Sequence, residues 1–199
     1  MKKLLACLAL VLVTLASLNV STPVFANTAP FDTSSVTGPA IPATATTLTP
    51  VADAHVNATS PNANYGSATQ LRVGSSPAKN AYLRFNVQLN TGPITKATLR
   101  LFANNKLSGG LAVRAVANNS WTESTISYSK SPAMGSILAK FGAITAGAWI
   151  SVDVTPYVTG NGTYTFGLTS SNLTALSIAS RESTNAPQLI IMTGTSTLP

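Results

Sequence analysis

The sequence holds a single cysteine, Cys7, in 199 residues. It lies near the start of an apolar N-terminal run and is expected to leave with it, so neither a disulfide framework nor thiol chemistry serves the rest of the chain. Charge is scarce as well, at 9% of residues. The acids are Asp32, Asp53, Glu123, Asp153 and Glu182, and the one histidine is His55. A glycosidase needs two carboxylates brought together, and uronate elimination needs an acid and a base. Nothing in the spacing of these residues asks for such a pair. The chain also lacks a G-x-S-x-G elbow, an HExxH helix, a phosphate loop and a Cys/His metal cluster. It has no helix-turn-helix, zinc finger or aromatic RNA-binding strand, so no specific nucleic-acid partner is expected.

Long apolar runs are missing beyond the first residues, where Lys2 and Lys3 precede "LLACLALVLVTLASL". That run is about 15 residues, short of the roughly 20 that a membrane span takes. It ends in "STPVFA", with Val24 and Ala26 at the small-residue positions of a cleavage site, so residues 1–26 read as a secretory signal peptide. The expected protein is exported, extracellular or at the cell surface, with no membrane insertion. A lipid anchor through Cys7 is not expected, because a lipobox cysteine follows the apolar run. Loss of Lys2 and Lys3 takes the formal charge from +7 to +5. A basic exported chain favours acidic partners, among them anionic polysaccharides.

Residues 27–47 are rich in Thr, Ala, Pro and Ser and bury too little apolar surface to order themselves, so they read as a linker. Residues 48–199 carry one domain. There, apolar residues alternate over short windows bounded by Gly, Pro, Asn and Ser, without the three-and-four recurrence of a helix. The expected fold is all-β, a two-sheet antiparallel β-sandwich of jelly-roll type with about ten short strands. These are placed at 51–56, 69–74, 81–87, 94–103, 110–117, 137–142, 148–154, 163–169, 176–182 and 188–193.

Period two also assigns faces. In "AYLRFNV", Leu83, Phe85 and Val87 point to the core, and Tyr82, Arg84 and Asn86 point outward. The same pattern sends Arg72, Arg100 and Arg114 outward. Tyr82 and Arg84 then form a candidate ligand surface that Arg72 or Arg100 extends if their strands are neighbours. A ring stacks on a sugar face, and a guanidinium pairs with a carboxylate through two hydrogen bonds. The competing reading has the arginines scattered over both outer faces, covering sheet surface with their stems. His55 alternates with Asp53 on one face and reads as a lone exposed or satisfied histidine. A structural calcium ion, pinned by Asp53, Asn62, Asn64 and Asp153, is a further candidate. No other cofactor is expected.

Several strings, in order, resemble one family: "ADAHV", "SPNANYGSATQLRVG", "AYLRFNV", "ITKATLRLF", "NNSWTESTISYSKSPAMG", "WISVDVTPYV", "GTYTFGLTS" and "ASRESTNAPQLII". Together they resemble the DNRLRE domain, which overlaps carbohydrate-binding module family 96. The resemblance implies a jelly-roll sandwich found in exported bacterial and archaeal proteins, often attached to polysaccharide lyases or cell-wall enzymes, with alginate binding among its members. Two departures stand out. Asn86 replaces the family's usual aspartate, and "ISYSKSP" brings Tyr128 and Lys130 where relatives commonly read "ITWNNAP". These two join the candidate ligand residues.

The leading expectation is a non-catalytic module that binds an acidic polysaccharide such as alginate. One alternative is a structural surface, matrix or adhesion protein. The other is a polysaccharide lyase or hydrolase, which requires Glu123, Asp153, Glu182 or His55 to gather in a cleft. Trp121 is expected to close one end of the core. Glu123 is expected to act as an acceptor for backbone N–H groups or for Arg181, with ligand and catalytic roles as alternatives.

Overall fold

The computed structural model describes residues 44–90 and 92–194. The expected signal peptide and most of the expected linker lie outside them. Eleven strands follow in order: β1 (Thr44–Leu48), β2 (Ala52–Asn57), β3 (Gln70–Ser75), β4 (Ala78–Val87), β5 (Ile94–Ala103), β6 (Leu111–Val116), β7 (Ile137–Phe141), β8 (Ala148–Asp153), β9 (Gly162–Ser170), β10 (Leu176–Ala179) and β11 (Gln188–Thr193). A short 3-10 turn, Tyr128–Lys130, interrupts the segment between β6 and β7.

The strand pairs are antiparallel and form two layers. In the first layer β5 lies between β8 and β11, β1 lies outside β11, and β10 meets β5 at Ile178 and Ala103. In the second, the order is β2, β4, β9, β6, β7. β3 belongs to both: its first residues pair with β10, and Gly74 and Ser75 pair with β4. The fold is an all-β sandwich whose hydrogen bonding runs from one layer into the other.

Ten of these strands sit where alternation predicts them. The eleventh, β1, corrects the expected linker at 27–47, because Thr44–Leu48 pairs residue for residue with Thr193–Leu189 of β11. Its "TATTL" composition looked like linker. β-branched threonines are nevertheless at home on a strand that borrows its order from a paired neighbour.

Between the layers lies the main core. Leu83, Phe85 and Val87 of β4 meet Leu99 and Leu101 of β5, Leu71 and Val73 of β3, and Phe166 and Leu168 of β9, all fully buried. Phe85 and Phe166 meet edge to face at 5.8 Å, the arrangement that aromatic quadrupoles favour.

A second apolar cluster lies on the outer face of the second layer. Ala52, Ala54 and Val56 of β2, Tyr82 of β4 and Val116 of β6 are covered there by Trp121 and Ile126, with Met134 packed against them. The segment between β6 and β7 thus lies over the sheet as a lid of irregular chain. Gly167 on β9 permits the close approach, since a Cβ there would stand 2.6 Å from the Met134 sulfur. Trp121 therefore closes an outer cluster rather than one end of the main core, and its ring N–H donates to Thr165 Oγ1 at 3.3 Å.

Candidate functional site

Alternation sends Tyr82 and Arg84 outward, and outward they point, but the covering segment buries what they meet. Tyr82 is 2% exposed. Its hydroxyl donates to the Pro132 carbonyl at 2.9 Å, the partner that a buried phenol requires. Burial raises its pKa. Arg84 donates to the carbonyls of Asn119, at 2.9 Å, and Trp121, and its guanidinium carbon lies 5.1 Å from the centre of the Trp121 ring. The expected open Tyr82–Arg84 surface is therefore corrected: both side chains hold the covering segment down, and Tyr82, though buried, also lines one of two hollows beside that segment.

The four strand arginines divide between faces. Arg100 belongs to β5 and points out of the first layer, whereas Arg84 and Arg114 point out of the second. Arg72 is exposed on β3, which links the layers. It does not extend the Tyr82–Arg84 face, since its strand partner is Ser177 of β10.

Beside the covering segment, the outer face of the second layer stays open as two adjoining hollows of about 370 and 480 Å³, the second walled by Tyr128, Ser131 and Met134 of that segment. Arg114 and Thr169 line both. The first hollow adds Lys140, Ile137 and Phe141, and the second adds Asn80, Tyr128 and Ser131. Local structure aims these groups: β6 and β7 shift register between Val113 and Arg114, which sets Arg114 directly opposite Ile137. Bulges of this kind commonly re-aim a side chain. Arg114 donates to the Gly135 carbonyl at 2.6 Å, which fixes one end of a guanidinium that carries five donors. Tyr128 stands on the 3-10 turn, 36% exposed, and Lys130 two residues on is exposed as well. None of the described carboxylates lines either hollow. The groove is thus cationic, with exposed Ile137 as its apolar element and hydroxyl and amide groups along its walls.

A second, half-buried arrangement occupies the outer face of the first layer. The Arg100 guanidinium carbon lies 4.5 Å from the centre of the Trp149 ring, and Trp149 meets Phe102 edge to face at 5.4 Å. Arg100 also donates to Gln188 Oε1 at 3.1 Å. Trp149 was missed as a candidate. The available signal was its phase, since Trp149, Ser151 and Asp153 alternate outward against Ile150 and Val152.

Glu123 is engaged structurally. Its Oε1 accepts the Asp53 backbone N–H at 2.8 Å, and Arg181 Nη1 donates to both of its oxygens at 3.1 and 2.9 Å. Glu182 lies 3.7 Å from Arg181 Nε, and Asp53 Oδ2 accepts the Arg181 backbone N–H at 2.7 Å. Burial, with Glu182 and Glu123 adding to it, pushes the Asp53 pKa up to about 7. His55 stacks on Tyr65 with ring centres 4.5 Å apart. Burial takes its pKa down to about 4, helped by the charges of Arg72 and Lys79.

The four expected calcium ligands do not meet. Asn64 donates to the carbonyls of Glu123 and Ile126 at 2.7 and 2.8 Å and accepts the Gly66 N–H. Asn62 accepts from Ser129 at 2.8 Å. Asp153 sits on the other layer, where it caps its own turn by accepting from Thr155, and those bonds lower its pKa. Of the four carboxylate and imidazole groups that an enzyme would gather, Glu123 and Glu182 are together, bridged by Arg181, and Asp153 is apart.

The family model for carbohydrate-binding module family 96 matches residues 44–193, from the first residue of β1 to the last of β11. The chain belongs to carbohydrate-binding module family 96. A search of curated proteins finds no match. Within the family 96 domain, the Arg114 groove and the Trp149 ledge are two surfaces whose residue types suit a sugar. The groove is concave, and its hollows fall within the roughly 300–1,000 Å³ of small-ligand sites.

Proposed function

We propose that this carbohydrate-binding module is exported and captures an anionic polysaccharide of the uronate class, such as alginate, in the groove around Arg114. The observation that carries the reading is the junction itself: Arg114 lines both hollows, with Lys140 beside it in one and Tyr128 in the other. Each carboxylate of a bound chain takes charge-assisted hydrogen bonds from a guanidinium or ammonium. The sugar C–H faces lie on Ile137 and the Tyr128 ring, and ring hydroxyls pair with Asn80, Thr169 and Ser131. The module binds without acting on its ligand. Single contacts of this kind are weak, and a polymer engages several at once.

Affinity electrophoresis through gels containing alginate, pectate, a neutral glucan or DNA tests the reading. Retardation on the uronate polymers that fades as salt rises supports it. Equal mobility in every gel at low salt removes it. A second reading, a structural surface or matrix protein, draws support from the division of the strand arginines between the two outer faces. It predicts equal mobility in all the gels.

A further inference from the structure

Away from the groove, three carboxylates converge where β2, the covering segment and the chain after β10 meet. One carboxylate oxygen from each of Asp53, Glu123 and Glu182 lies within 4.8 Å of the other two. Arg181 is the cation in contact with them, through Glu123 at 2.9 Å and Glu182 at 3.7 Å. Its single positive charge faces three potential negative ones.

The second observation lies inside the cluster. Asp53 is fully buried, and its two oxygens are used unequally. Oδ2 accepts the Arg181 backbone N–H, while Oδ1 is buried with no hydrogen-bond partner among the described residues. A buried acceptor without a donor destabilises the fold that contains it, and native structures rarely leave one so.

We infer that Asp53, Glu123 and Glu182 form a binding site for a divalent, oxygen-seeking cation, and that the cation is calcium. The spacing suits it: two oxygens at about 2.4 Å from one calcium ion lie at most about 4.8 Å apart. The donors are carboxylates, with no thiolate among them, which selects a hard cation over zinc or copper. Magnesium demands near-octahedral geometry at about 2.0–2.1 Å and gives up its waters reluctantly, whereas calcium accepts irregular sets of carboxylates.

There is also a way in. A hollow of about 320 Å³ lined by Asn64, Gly66, Ser67, Glu123, Ser124 and Glu182 opens on the cluster and has room for the waters that complete a calcium shell. Gly66 lets its loop close on the cluster, since a Cβ there would stand 2.2 Å from the Glu123 carbonyl oxygen. The bound ion ties β2, the covering segment and the residues after β10 together. It gives the orphaned Asp53 oxygen its partner.

Calcium chloride is the probe, titrated calorimetrically and by thermal unfolding into protein freed of metal by chelation, with magnesium chloride as the matched control. The expected result is one saturable calcium site, a melting temperature several degrees above that of the chelated protein, and a weaker response to magnesium. Glu182→Gln changes an exposed side chain, and Asp53→Asn keeps an acceptor for the Arg181 N–H. Each is expected to weaken calcium binding by at least about tenfold, with the circular dichroism of the metal-free protein unchanged. If one variant fails to fold, the other decides. The proposal is overturned if calcium up to about 10 mM, above the roughly 0.1–1 mM typical of extracellular modules, shifts nothing. It is equally overturned by a response that magnesium matches, or by one that survives intact in the folded variants.

Discussion

Arg114 and Arg84 sit on the same outer face, two strands apart, yet their surroundings assign them different work. Arg84 donates to the carbonyls of Asn119 and Trp121 beneath the covering segment, so Arg84→Ala is expected to lower stability by about 1–3 kcal/mol in chemical denaturation. Arg114 is anchored at Gly135 and faces open groove. Arg114→Ala is therefore expected to leave the melting temperature within a few degrees of the parent while weakening uronate binding by about tenfold or more, the worth of one charge-assisted hydrogen bond. Tyr82→Phe separates the same two roles for an aromatic residue. It strips the Pro132 carbonyl of its donor and should cost about 1–2 kcal/mol of stability, with ligand affinity unchanged. Equal loss of affinity in Tyr82→Phe and Arg114→Ala would show that Tyr82 meets the ligand after all.

The covering segment between β6 and β7 is the element on which sequence and structure part company. The strands were legible because alternation is a local property: Leu83, Phe85 and Val87 announce the buried face of β4 without reference to any other part of the chain. Alternation reports which way a side chain points and nothing about what lies above it. Tyr82 and Arg84 point outward as read, but "NNSWTESTISYSKSPAMG" has no strand or helix period that would reveal it lying back over β2 and β4. β1 was hidden for the related reason that its order comes from β11 rather than from its own composition. Trp149 and its half-buried ledge were legible in principle, since an aromatic residue in the outward phase of a strand is a feature that alternation does report. If Trp121 is the keystone of the outer cluster, Trp121→Ala is expected to cost about 3–5 kcal/mol and to raise hydrogen exchange in the covering segment before that of β5 or β9. Uniform acceleration across both layers would place Trp121 in the main core instead.

For the molecule as a whole, two buried titratable groups on β2 act in opposite directions. Asp53 holds its proton up to about pH 7 in the folded state against 3.8 as a model carboxyl, so the fold binds more protons than the unfolded chain between these values. Its contribution to stability is fullest below about pH 4 and is lost as pH rises through about 7. His55 titrates at about 4 when folded and 6.5 as a model imidazole, so between these values the unfolded chain binds more protons. Its contribution is gained as pH rises across that window. The two slopes offset each other between about pH 4 and 6.5 in metal-free protein. Asp53→Asn removes one of them, and its stability relative to the parent is expected to rise from about pH 4 to 7, read as unfolding midpoints in chelator. A difference that stays flat with pH would mean Asp53 is ionised throughout.

The basic charge of the chain and the groove's freedom from carboxylates bring the account to a single comparison: calorimetric titration of uronate oligosaccharide into the parent, Arg114→Ala and Arg100→Ala proteins at low salt. The parent and Arg100→Ala are expected to bind alike, with affinity falling as salt rises, and Arg114→Ala is expected to lose most of its affinity. Full binding by Arg114→Ala with loss in Arg100→Ala would contradict that expectation, and would move the ligand to the Trp149 ledge on the opposite face.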